Sequence, residues 1–358
     1  MSMLVQRRKL LTSLLAGAGL MGCGSLIPKN QATSFIPLPV LDPAVPLRVV
    51  YAHNPRFERA APELIASILV RAQQLCKAHF ELQIEFDRTT EQSISTLFSG
   101  ITPSLWNQLK LDTYPTQDGK GDRTRLVKTT RASLAQNRSD VASQIAFAKP
   151  YLLSAINPTD AASLAQALVD TQLARYTAWQ ALAGSNGEPL LDGSIYNEYY
   201  AWVFAPRTTP WAFEIVITNQ LLASVEYSDN SLHSALRGGV SNGLTAQSPG
   251  SRYGTVSTLS LFPFTSQDPL TRLLRNDAPG APTNAVEAAA AMLTHELGHQ
   301  LLHLGHPFNS KACVMNPPEL LQFEAWTRGL DAAQCLLGNH AENKPGVYRF
   351  SIVKQPGL

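Results

Sequence analysis

Long apolar runs are scarce in this chain. Beyond the N-terminus no stretch of eighteen or more apolar residues occurs, so no membrane-spanning helix is expected in its body. Charge is also sparse. Charged side chains make up 16% of the 358 residues against 44% hydrophobic ones, a balance that excludes a disordered or collagen-like chain. No basic stripe or aromatic stacking platform stands out, and no nucleic-acid partner is expected. The four cysteines are too few for a disulfide-built scaffold. What remains is a globular chain long enough for one large domain or two ordinary ones.

The N-terminus reads differently from the rest. Gln6-Arg7-Arg8-Lys9 is a basic segment, Leu10 to Leu20 is a short apolar one, and Leu20-Met21-Gly22-Cys23 follows. This resembles a bacterial lipoprotein signal, with residues 1–22 removed and Cys23 lipidated. The Arg7-Arg8 pair before Leu10 and Leu11 also resembles a twin-arginine export signal. These resemblances imply a protein of the bacterial cell envelope, anchored by acyl chains such as palmitate and facing the periplasm or the exterior. Loss of residues 1–22 takes three of the 29 basic side chains and none of the 27 acidic ones, leaving a nearly neutral chain. Residues 23–46 are rich in Pro, Ser, Asn and Gln and read as a tether. Cys76, Cys313 and Cys335 are then left, and an odd count leaves at least one unpaired. Cys313–Cys335 is a possible pair, although a buried thiol is the simplest reading of Cys313.

From residue 47 onward the chain reads as ordered. Leu47 to Tyr51 is strand-like, Ala60 to Phe80 has helical spacing, and Leu82 to Phe86 alternates as a half-buried strand does. That order suggests a βαβ start with parallel strands. Residues 88–190 carry helical segments at Leu126–Gln136, Val141–Phe147 and Ala161–Leu182, read as a helical insertion or a small separate domain. Strands are expected at Ala212–Thr218 and at Tyr253–Leu261, the latter as a sheet edge. Asn284 caps a helix from Ala285 to about Leu304, and Glu287 completes a capping-box pattern.

Within that helix lies His295-Glu296-Leu297-Gly298-His299, an H-E-x-x-H motif. Histidines at i and i+4 share a helix face, so both imidazoles reach one zinc ion. Glu296 is the candidate general base beside the open metal position. The helix is otherwise Ala- and Leu-rich, and three polar groups turned inwards would be costly there without a metal. A catalytic zinc takes three protein ligands and one open position. His303 lies about 12 Å along the axis from His295, too far to share an ion, and reads as a supporting or surface residue. His306 follows Gly305, whose freedom at positive φ could turn the chain back, and precedes the helix-breaking Pro307. Glu319 is the rival third ligand.

His295 to His306 resembles the metzincin zinc peptidases, whose motif is H-E-x-x-H-x-x-G-x-x-H followed by a methionine turn beneath the metal. Cys313-Val314-Met315-Asn316-Pro317 resembles that turn, closest to the archaemetzincin branch. The pattern departs from the family at three places. Leu302 stands at the glycine position, Gly305 at the histidine position, and His306 falls one residue late. The resemblance implies an α+β fold: a metzincin-like zincin catalytic domain spanning residues 47–358. It would have a mixed twisted sheet, a backing helix, an active-site helix and a helical insertion at about 88–190. It also implies Met315 packed below the ligands, and one catalytic Zn2+ held by His295, His299 and His306.

The expected activity is that of a zinc metalloendopeptidase, hydrolysing peptide bonds in a peptide or protein substrate with a Glu296-assisted, zinc-bound water. An extended peptide could add to the sheet edge. Two alternatives stay open: a non-catalytic zinc-binding envelope lipoprotein, and a thermolysin-like zinc peptidase with Glu319 as third ligand.

Overall fold

The computed structural model describes residues 40–104, 123–136, 140–149, 152–153, 156–180, 190–191, 194–197, 199–223, 227–228, 231–232, 236–241, 248–277, 284–307, 310–318 and 321–335. The signal segment, Cys23, most of the tether and Glu319 lie outside the described residues. Among the described residues no helix is long and apolar enough to cross a membrane.

The fold is α+β, with a small, mostly parallel sheet and helices. The sheet strands are β1 (Val49–His53), β2 (Thr90–Ser93), β3 (Ile215–Thr218), β4 (Gly239–Ser241) and β5 (Ser257–Ser260), in the order β2-β1-β3-β5-β4. β1 pairs in parallel with β2 and β3, and β3 with β5. β4 alone runs antiparallel, paired with β5 as Gly239↔Leu259, Val240↔Thr258 and Ser241↔Ser257. β1 and β3 are nearly continuous apolar runs, as strands covered on both faces must be.

The period of two divides their side chains between two cores. Val49, Tyr51, Ile215 and Ile217 enter one core with helix α1 (Pro62–Phe80) and the long helix that carries the histidines. Val50, Ala52 and Val216 enter the other with Phe98, Trp202 and Trp211. The last two tryptophans come from and just after a helix spanning Tyr199–Thr208 that the sequence reading did not foresee. α1 starts at Pro62, where the missing N–H costs nothing. It ends at Glu81, whose left-handed φ of 57° lets its N–H close onto Cys76 and Lys77 carbonyls.

Two expectations are corrected here. The segment Leu82–Phe86 alternates but forms only a single bridge, Leu47↔Phe86; the strand that returns to the sheet is the polar Thr90–Ser93. Tyr253–Leu261 is not an edge. Its strand portion, Ser257–Ser260, is paired on both sides, and Gly239–Ser241 is the edge.

The chain between β2 and β3 carries α2 (Arg123–Gln136), α3 (Val141–Ala148) and α4 (Ala161–Gln180). Leu134, Ala148, Leu164, Ala165 and Leu168 from these helices form a separate small core. Asp140 caps α3 by accepting from Ser143 N–H.

Candidate metal centre

His295 and His299 ride on α5 (Ala285–Leu302), a buried helix that packs against α1 and the sheet, and His306 follows its end. Its start follows half of the expected capping box: Asn284 Oδ1 accepts from Glu287 N–H at 3.3 Å. The Glu287 carboxylate does not return to the cap. It pairs with Arg71 of α1 through bonds of 2.7 and 2.8 Å, because the neighbouring helix offers a guanidinium fork. Further along, Gln300 Nε2 donates to the Glu214 and Thr255 carbonyls, and Ser257 Oγ to the Glu296 carbonyl, fixing α5 over β3 and β5.

The helix ends at Leu302, and His303 makes the turn in the left-handed region at φ 52° and ψ 43°. Gly305, expected to turn the chain, is not among the positive-φ residues. His303 is buried, 3% exposed, rather than on the surface. Its Nε2 has no hydrogen-bond partner among the described residues, and burial lowers its pKa to about 4. The turn closes with Leu304 N–H bonded back to the Gly298 carbonyl. That closure aims the Leu304 carbonyl at His299, whose Nδ1 donates to it at 2.6 Å.

His295 is held in the same manner from another part of the chain: its Nδ1 donates to the Val314 carbonyl at 2.9 Å. A carbonyl only accepts, so Nδ1 carries the proton in both rings and Nε2 presents a bare lone pair. Burial lowers the pKa of His295 to about 4. For His299 burial, and then the neighbouring His295, lower it to about 3, so both rings are neutral near pH 7.

The three Nε2 atoms converge. His295 and His299 are 3.1 Å apart, His299 and His306 2.9 Å, and His306 and His295 3.2 Å. Two lone pairs facing each other at 3.1 Å repel. A cation above this triangle meets all three nitrogens at once, and zinc–imidazole bonds of about 2.0–2.1 Å fit nitrogens at such spacing. The buried cluster His295, His299 and His306 could hold a metal ion.

Met315 is fully buried in the segment after the ligands and packs against Gly298 of α5. A Cβ on Gly298 would overlap Met315 Sδ and would lie 3.0 Å from Phe80 Cζ, so the glycine between the two helical histidines makes room for the methionine. The Met315 segment is tied down from the C-terminal side. Cys313 is bonded to Cys335, which corrects the reading of Cys313 as a buried thiol; among the described residues Cys76 is the free cysteine, and it is buried. Val314 N–H donates to Cys335 Sγ at 2.8 Å, and Trp326 Nε1 of α6 (Phe323–Arg328) donates to the Asn316 carbonyl at 2.8 Å.

Glu296 is buried, 6% exposed, and its carboxylate lies against Gly239 of the edge strand β4. The helix thus presents two imidazoles, joined by that of His306 from beyond its end, and a carboxylate beside the outermost strand. Sequence reasoning did not find the Leu304 and Val314 carbonyls that orient the rings, nor the closeness of Gly239. An isolated glycine inside a helical pattern was the available signal for Gly298. Compared with known protein families, with curated proteins and with solved structures, the chain matches none.

Proposed function

We propose that this chain is a zinc-dependent metallopeptidase of metzincin-like architecture, with His295, His299 and His306 as ligands and Glu296 as general base. The observation that carries the reading is the convergence of three Nε2 atoms within 3.2 Å, two of them fixed as acceptors by main-chain carbonyls. Three imidazoles are a donor set suited to zinc, and three ligands leave a position open for reaction. The order of strand, helix, strand, further strands and metal helix supports the reading, as does a buried methionine packed against Gly298 of that helix.

When bound, zinc supplies a Lewis acid that polarises a carbonyl and brings the pKa of water to about 7. Glu296 takes the proton from the attacking water and passes it to the leaving amine. An extended peptide adds along β4, whose one flank is taken by β5, so that the scissile bond passes Glu296.

The test is zinc content beside peptide-library digestion, for the wild type and Glu296→Gln. The expected result is equal zinc in both proteins and loss of cleavage in the variant. Equal zinc with no cleavage by either protein would favour a non-catalytic zinc-binding protein instead. In a parallel pair, His306→Ala should lose zinc and Glu319→Ala should keep it; the opposite result assigns the third ligand to Glu319.

A further inference from the structure

Gly239 opens the edge strand β4 in register with Leu259. A glycine inside a strand gives up side-chain packing and often marks a close approach by another group. Its φ is not among the positive ones, so conformational freedom is not what the position requires. What it requires is space. A Cβ built on Gly239 would lie 2.7 Å from Glu296 Oε1, 2.8 Å from Cγ and 3.1 Å from Cδ. Real Cβ atoms do not come that close, and the group in the way is the carboxylate arm itself. Gly238 next to it is constrained by different neighbours, since its Cβ would meet Phe264 Cζ at 2.7 Å and Met292 Cγ at 3.5 Å. Met292 lies one helical turn before Glu296, so the two glycines let β4 lie close along this face of α5.

We infer that Gly239 is a positioning residue: its missing side chain forms the slot that holds the Glu296 carboxylate in its working orientation. The inference rests on the metallopeptidase reading for its catalytic consequence, but the slot itself is a packing relation. Any side chain at 239 turns the carboxylate away while leaving the three histidines in place. The strand that would receive a peptide thereby also sets the position of the base.

The experiment uses the full chain loaded with zinc, in a cycle of Gly239→Ala, Glu296→Ala and the double variant, with thermal melting and zinc content measured for each. Gly239→Ala should keep zinc and lower the melting temperature, and Glu296→Ala should largely relieve that loss by removing the arm that clashes. On a cleaved peptide, Gly239→Ala should lower kcat on the order of 10²-fold with KM little changed, the effect of a misplaced catalytic group. A Gly239→Ala protein with wild-type melting and kcat overturns the inference. So does an equal melting loss in the Glu296→Ala background, because the clash then lies elsewhere. Should wild type cleave nothing, the peptidase reading fails, and the melting cycle still decides the slot.

Discussion

At Gly298 a hydrogen stands where Met315 leaves no room for a methyl group. Gly298→Ala should therefore destabilise the chain by about 1–3 kcal/mol, the usual cost of overpacking a core, despite the better helix propensity of alanine. Thermal denaturation measures this, and a stability gain would remove Met315 from its assigned place. Glu214 gives a second expectation. Burial raises its pKa, but bonds from the Arg48 guanidinium and from the Arg252 and Arg48 N–H groups outweigh that, and the net pKa falls below 4.5. A depressed carboxylate pKa contributes stability that is present above the unfolded value and lost as pH falls through the folded one. Glu214→Gln should flatten the acid limb of the stability curve below about pH 4.5, measured by denaturant titration across pH. At this scale the cluster of His295, His299 and His306 was legible, because ligand chemistry restricts residue types and spacing. The Leu304 and Val314 carbonyls were not, because every residue has a carbonyl and only the folded turn decides where it points.

Among the elements, α1, β1 and α5 could be read because long or apolar segments show their period. β2 and β4 could not. Thr90–Ser93 is polar and partly exposed, and Gly239–Ser241 is three residues long and opens on a glycine, so neither carries a period. Their places are set by the strands they join. The turn after α5 was assigned to Gly305 on backbone freedom, whereas His303 takes it, since the bond from Leu304 N–H to the Gly298 carbonyl fixes where the helix closes. The edge position of β4 predicts how a substrate binds. Methylating backbone nitrogens of a cleaved peptide one at a time should raise KM at alternate residues, following the two-residue repeat of a strand. An even response along the peptide would count against strand addition.

Taken whole, the molecule braces its histidine cluster from two directions, the sheet above through Gln300 and Ser257, and the C-terminal segment below through Cys313–Cys335. The disulfide spans 22 residues, and constraint of a loop that size contributes about 3 kcal/mol in the chain-entropy account. Cys313→Ser/Cys335→Ser should lower stability by a comparable amount and weaken zinc binding as well. Loosening this loop frees the Val314 carbonyl that holds His295, and loss of such outer support costs about 10–100-fold in metal affinity. Unchanged affinity at reduced stability would separate the disulfide from the site. The central claim is that three imidazoles share one cation. Anomalous diffraction at the zinc edge, from crystals grown with zinc, tests it most directly. A single peak about 2.0–2.1 Å from the Nε2 atoms of His295, His299 and His306 is predicted. A folded, zinc-soaked crystal with no peak among these rings would contradict it.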